Sequence, residues 1–314
     1  MWQRKIWLLS SLVLLQAAVC AASASAAEPL RWKLSPRDRL RVVTEQTVVT
    51  DTTYTGVAVQ STLTLLVESD WEVKSASKGK FEIAQKVARA RVEMQSPKTD
   101  PVLYDSQDEK RPTGAARQLY NAIQPLIGLT AQVTMSDRGE IVAVELPTPA
   151  QDSAEAADKD KKSSGGNAAP TVPAETLKSL LGKPLVVLPA DAVETGATWH
   201  ASDAGEATVG PVTIEKTYKL AALEEVDGHE QATIAGSGQI ALKSTGGLKL
   251  TDSSYAQTVL FDATEGAVTT SEQKVRLRTE KPYRETTIVV DTTLTQKTTA
   301  QKIAASNAAE PEAK

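Results

Sequence analysis

The stretch Val57-Ala58-Val59-Gln60-Ser61-Thr62-Leu63-Thr64-Leu65-Leu66-Val67-Glu68 decides how the chain is read. Val57, Val59, Ser61, Leu63, Leu65 and Val67 occupy every second position, with Ala58, Gln60, Thr62, Thr64 and Glu68 between them. A period of two puts the first set on one face of a strand and the second on the other. Leu40, Val42 and Val48 keep the same rhythm, as do Val212, Ile214, Tyr218 and Leu220, and later Ile288, Val290 and Leu294. Their neighbours are rich in Thr, which suits a half-buried pleated surface. Between Phe81 and Met94 the apolar side changes from Phe81, Ile83 and Val87 to Ala88, Ala90, Val92 and Met94. A one-residue bulge is expected there, because one extra residue flips the facing of everything after it.

Short turns join the alternating runs. Asp227-Gly228 has the composition of a two-residue hairpin. Ser136-Asp137-Arg138-Gly139 joins Leu129–Met135 to Glu140–Leu146, and Glu265-Gly266 joins Tyr255–Asp262 to Ala267–Arg278. Turns this short imply a meandering antiparallel sheet. Two helices are expected. Gly114 to Ile127 carries Leu119, Ile123, Leu126 and Ile127 on one face, with Pro125 kinking or ending it, and Pro173 to Leu181 stops at Gly182.

The N-terminus reads as a secretory signal over residues 1–26. Arg4 and Lys5 precede an apolar run from Ile6 to Val19, and Ala24-Ser25-Ala26 fits the small-x-small cleavage pattern, with Ala22-Ser23-Ala24 an alternative. The run falls short of the roughly 20 residues a membrane span needs, and no second such run follows. Lipid attachment at Cys20 is disfavoured by the bulky Val19 before it. Cys20 is the one cysteine of the 314-residue chain, so no disulfide is expected in the 314 − 26 = 288 residues that remain. Aromatics make up 4% of the chain, too few for the girdles of an outer-membrane barrel. With 35 Lys and Arg against 39 Asp and Glu the net charge is −4; without Arg4 and Lys5 it is 33 − 39 = −6. A mixed, mildly acidic balance argues against nucleic acid as a partner.

The expected architecture is mainly β: two half-barrel-like lobes of curved antiparallel sheet, residues 27–147 and 172–300, with two short helices. Residues 148–171 form the break between them. Gln151 to Lys162 is charged and without large apolar groups, followed by Ser163-Ser164-Gly165-Gly166-Asn167, so a linker or loop is expected. Residues 301–314 share that character and are expected to form a tail.

The order of segments resembles a known family. Leu30-Arg31-Trp32-Lys33-Leu34 leads into Asp38-Arg39-Leu40-Arg41, followed by Leu103-Tyr104-Asp105-Ser106 and by Leu126-Ile127-Gly128. Val133-Thr134-Met135-Ser136-Asp137-Arg138-Gly139-Glu140-Ile141 comes next, and Leu188-Pro189 precedes Val193-Glu194-Thr195-Gly196-Ala197-Thr198-Trp199. This is similar to an uncharacterised family of exported bacterial β-rich proteins, a domain of unknown function. The resemblance implies an extracytoplasmic protein, periplasmic or secreted, with sheets like the half-barrels of lipoprotein carriers, and it transfers no catalytic residue. In physical terms Arg138-Gly139 supplies a positive-φ turn and Trp199 a core or sheet-edge anchor.

Searching for chemistry yields no catalytic, metal or cofactor site. The two histidines, His200 and His229, lack the companions of a zinc centre. Gly236-Ser237-Gly238 is not a nucleophile elbow and is read as close packing, and Gly182-Lys183-Pro184 cannot open a phosphate loop. Adjacent acids such as Glu224-Glu225 would point to opposite faces of a strand. One regular feature remains. Arg37, Arg39 and Arg41 alternate along one strand and Lys274, Arg276 and Arg278 along another, as do Arg89 and Arg91. Side by side, such ladders would take an anionic lipid or glycan; the plainer reading is a solvated face neutralised by Glu272, Glu280 and Glu285. The function expected is a non-catalytic binding or carrier protein for a lipid or anionic glycan. The alternative is a structural or protein-interaction module of the cell envelope.

Overall fold

A computed structural model describes residues 28–97, 99–146, 185–207, 210–243 and 247–303. The expected signal peptide, the linker at 148–171, the second helix and residues 304–314 lie outside them. The strands are β1 (Arg39–Tyr54), β2 (Val57–Ser77), β3 (Lys80–Gln95), β4 (Val102–Asp105), β5 (Thr130–Ser136) and β6 (Ile141–Glu145) in the first segment. The second supplies β7 (Thr198–Ala207), β8 (Gly210–Val226), β9 (His229–Leu242), β10 (Lys249–Asp262), β11 (Ala267–Tyr283) and β12 (Thr286–Ile303). Helix α1 (Ala116–Ile123) and a 3-10 turn (Gln124–Leu126) with Pro125 in it separate β4 from β5. Among the described residues no helix is long and apolar enough to cross a membrane.

All the strands are antiparallel members of one sheet, ordered β6-β5-β3-β2-β1-β12-β11-β10-β9-β8-β7, with β4 on the far half of β3. The two expected lobes are therefore not separate sheets. β1 and β12 pair from Arg39↔Ile303 to Thr53↔Val289. Two lobes would each have left a long amphipathic strand with unpaired amides at its edge, and this pairing removes both edges. Residues 301–303, expected in the tail, belong to β12.

The turns and faces follow the sequence rhythm. Asp227 and Gly228, at φ 53° and 82°, join Val226↔His229 in a tight hairpin. Thr55-Gly56 and Lys78-Gly79 make matching turns. The expected bulge in β3 is present: Glu68 and Ser69 face Arg89 and Val87, which leaves Ala88 unpaired and moves the inward side to Ala90 and Val92. Further register shifts fall at Lys74, Ala221 and Thr269, and such bulges sharpen a sheet's local twist.

The sheet curls around its apolar face. Leu40, Trp71, Ile83, Val133, Trp199 and Phe261, from strands far apart in the sheet order, pack in one core. Two straps close that end. In the N-terminal strap, Trp32 donates its backbone N–H to Asp137 O and Lys33 to Gly266 O, both at 2.8 Å. In the second, Val186 and Leu188 are fully buried, and Leu188 N–H donates to Arg138 O at 2.8 Å while Arg138 Nε donates to Leu188 O at 2.9 Å. Gly139, at φ 86°, allows this crossing, because a side chain there would strike Val186 O and stand 2.7 Å from Trp32 Nε1.

Candidate functional site

Along the inner face the side chains form three layers. The first is the closed apolar core. The second is polar: Thr44 and Gln46 on β1, Ser69 on β2, Ser271 and Gln273 on β11, and Gln296 and Thr298 on β12 point the same way as the core residues next to them. Gln257 is its hub, accepting on Oε1 from the hydroxyls of Tyr218 (3.2 Å) and Tyr255 (2.6 Å) and donating from Nε2 to Leu185 O (2.8 Å) and Ser271 Oγ (2.9 Å). Burial pushes both tyrosines well above their ordinary titration range, so they remain protonated donors at neutral pH. Gly236 and Gly238 on β9 leave room for the rings: a Cβ would stand 3.0 Å from Tyr218 and 3.1 Å from Tyr255. That is the close packing expected of these glycines.

The polar layer encloses a cavity of about 130 Å³ reaching from Trp71 to Leu65 and Ile214. Lys216 and Asp203 are its charged lining, and their 3.2 Å ion pair balances them. Lys216, 6% exposed, also stands over the Tyr255 ring at 5.3 Å. Trp71 lines the deep end, and its buried Nε1 has no acceptor among the described residues.

Beyond the polar layer lies the third, apolar again but open. Val48, Leu63 and Leu294 sit across from one another on β1, β2 and β12, the hydroxyl row Thr50, Ser61 and Thr292 comes next on the same face, and Val59 and Val290, both opposite Thr52, follow outward. Ile240, Tyr255 and Val275 anchor this layer on the other flank, with Val212, Ile214 and Leu277 packed beside them. Val57, Val59 and Leu63 remain 62, 49 and 37% exposed. The opposite face of the same strands carries Thr, Asp, Glu and Arg, with Val43, Val49, Leu66 and Val289 among them. The hairpin ends are tied by an edge-on contact of Tyr54 and Tyr283 at 5.8 Å. The inner face is thus an apolar trough leading down to a hydrogen-bonding cavity, suited to one amphipathic molecule with its head inward.

The basic residues singled out from the sequence lie elsewhere. Arg39 and Arg41 and the trio Lys274, Arg276 and Arg278 face outward, and Arg37 occupies a turn at φ 76°. Arg41 is opposite Gln301 of β12 and Lys274 opposite Thr295. Their separation of 301 − 295 = 6 positions is roughly 20 Å along the strand. The ladders do not meet, and they are interleaved with acids. Arg41 binds Asp70 at 3.0 Å, Arg278 lies 3.5 Å from Asp291, and Arg39 is opposite Glu72. Lys274 lines an open depression of about 410 Å³ with Lys297, Glu45 and Glu272, where Lys297 and Glu272 pair at 2.9 Å. Arg89 bridges Glu68 (3.0 Å) and Asp105 (2.5 Å), which holds the Asp105 carboxyl below its ordinary range. His200 and His229 are exposed, on Thr217 and Asp262, and Trp199 is the anchor expected of it, donating to Val187 O at 2.8 Å. Among the described residues no cluster of His, Cys, Asp and Glu could hold a metal.

Sequence reasoning passed over the residues that line the cavity. The signal was present on β8: in the alternation Ile214, Lys216, Tyr218, Leu220 a lysine occupies an inward position, where a charge needs a partner.

A model described as a family of unknown function, DUF6263, matches residues 78–301. No curated protein matches the chain. A structure of lipovitellin, concerned with its lipid–protein interactions, is similar at a TM-score of 0.49 and 12% identity over 89% of this chain and 27% of that one. This chain thus spans about a quarter of the lipovitellin chain. An outer membrane channel from Pseudomonas putida F1 is similar at a TM-score of 0.21 and 8% identity, covering 86% of this chain and 97% of that one.

Proposed function

We propose that this chain, which belongs to the DUF6263 family of unknown function, is a non-catalytic carrier of an amphipathic, acyl-chain molecule outside the cytoplasm. The family brings no activity with it, so the reading stands on one observation. Beyond its closed core and polar layer the inner face of the sheet is mostly apolar and open, and it leads to a cavity whose polar lining is rich in amides and hydroxyls. A contiguous apolar face left wet is a binding surface more often than an accident of folding. Here it is concave, so it wraps a chain rather than meeting a flat partner. The export signal read at residues 1–26 supports a place for such a carrier in the periplasm or medium, where an acyl chain needs shielding from water.

The full chain, incubated with vesicles of phosphatidylethanolamine, oleate and monooleoylglycerol and then re-isolated, is expected to retain one acyl lipid per molecule. Recovery with no lipid would reject the carrier. A second reading has its own support: β6 and β7 have no partner strand on their outer sides among the described residues, and such edges accept a strand from another protein. An envelope module of this kind would capture one protein repeatedly, and no lipid.

A further inference from the structure

Trp71 and the cavity above it specify the head group. An indole N–H can only donate, and a buried donor without an acceptor is unfavourable. Three indoles of the described chain stand in three different settings. Trp199 Nε1 is satisfied by Val187 O at 2.8 Å. Trp32 Nε1, also without an acceptor, is sealed at the closed end between Gly139 and the edge of Phe261, 6.0 Å away, outside the cavity. Trp71 alone of the three lines the cavity, 8% exposed, with its donor unused. The rest of the polar lining is amide and hydroxyl, able to give and accept hydrogen bonds without charge, as Gln46, Gln273, Gln296, Thr44 and Ser69 show. Its cation is already matched: Lys216 holds Asp203 at 3.2 Å.

We infer that the site takes an uncharged, oxygen-rich head group, hydroxylated or carbonyl-bearing, and that Trp71 Nε1 donates to one of its oxygens. This rests on the carrier reading and deepens it. A carboxylate head would find no free cation, and a bare hydrocarbon would leave the Trp71 donor unmet.

Three probes of one chain length separate the cases: monooleoylglycerol, oleate and 1-octadecene. On the unaltered full chain, monooleoylglycerol is expected to move the Trp71 indole proton resonance downfield and leave those of Trp32 and Trp199 in place. Trp71→Phe, which keeps an aromatic ring, is expected to weaken monooleoylglycerol about 3- to 10-fold, the worth of one neutral hydrogen bond, with 1-octadecene unchanged. Monooleoylglycerol is expected to bind more tightly than oleate. Binding that leaves the Trp71 resonance unmoved, or a preference for oleate, overturns the head-group inference and spares the carrier. Failure of all three probes to bind overturns both. Should Trp71→Phe not fold, the resonance shift in the unaltered chain decides alone.

Discussion

Replacing Val59 and Leu63 together by threonine separates what the trough does for folding from what it does for binding. Both face inward on β2, across from Thr52 and Val48 of β1, and they remain 49 and 37% exposed. Full burial of such a side chain stabilises by about 1.5–3 kcal/mol. With roughly half of each still in water, its folding share is about 1 kcal/mol, and threonine is itself β-branched, a shape that strands favour. The unburied half is what an acyl chain would cover, again about 1 kcal/mol per residue. The double variant should therefore lose about 2 kcal/mol of binding, roughly a 30-fold weaker Kd. Titration with a fluorescent fatty-acyl probe reads the affinity, and urea unfolding reads the stability. Affinity within twofold of the parent, in a variant that still folds, would refute the assignment of this face to a ligand. Core-like destabilisation beyond about 4 kcal/mol would show that it serves the fold.

Four further outcomes follow from the closed end and the ion pairs. Phe261→Ala, at a fully buried residue in edge contact with Trp32, is expected to cost about 3–5 kcal/mol by urea unfolding. Gly139→Ala places a side chain against Val186 O at φ 86°, and should lower the melting temperature and weaken the near-ultraviolet signal of Trp32. Tyr218 and Tyr255 titrate above their ordinary value of 10.0, so the stability this shift confers is complete below pH 10 and is lost as pH rises through the folded-state values. Absorbance at 295 nm should accordingly show two tyrosines ionising only when the chain unfolds in alkali. Asp105 titrates below its ordinary 3.8 because Arg89 bonds its ionised form, so its contribution is present above pH 3.8 and disappears on further acidification. Asp105→Asn should show a shallower loss of urea resistance between pH 5 and pH 2, and an unchanged slope would remove this pair from the acid response.

The sheet was legible because each strand faces one way or the other. Val57 to Val67, Leu40 to Val48 and Ile288 to Leu294 all point inward as their alternation requires, and the Phe81–Met94 switch marks the bulge at Ala88. The pairing of β1 with β12 was not legible. Residues 39 and 303 meet across almost the whole described chain, and strand rhythm says which face is apolar but not which neighbour is adjacent. The regular basic ladders drew attention because charge alternation is visible in a sequence. The pairing of Arg41 with Asp70 and of Arg278 with Asp291 comes from adjacent strands and needed the register. For the same reason the cavity stayed hidden: Gln46, Trp71, Lys216 and Gln296 come from four strands, and each alone reads as an ordinary inward position.

Native mass spectrometry of the chain purified from its own cell envelope tests the carrier most directly. One lipid-sized adduct per chain is expected, at lower occupancy in the Val59→Thr, Leu63→Thr variant. A bare chain that arrives each time with the same protein bound, and never with lipid, would contradict it.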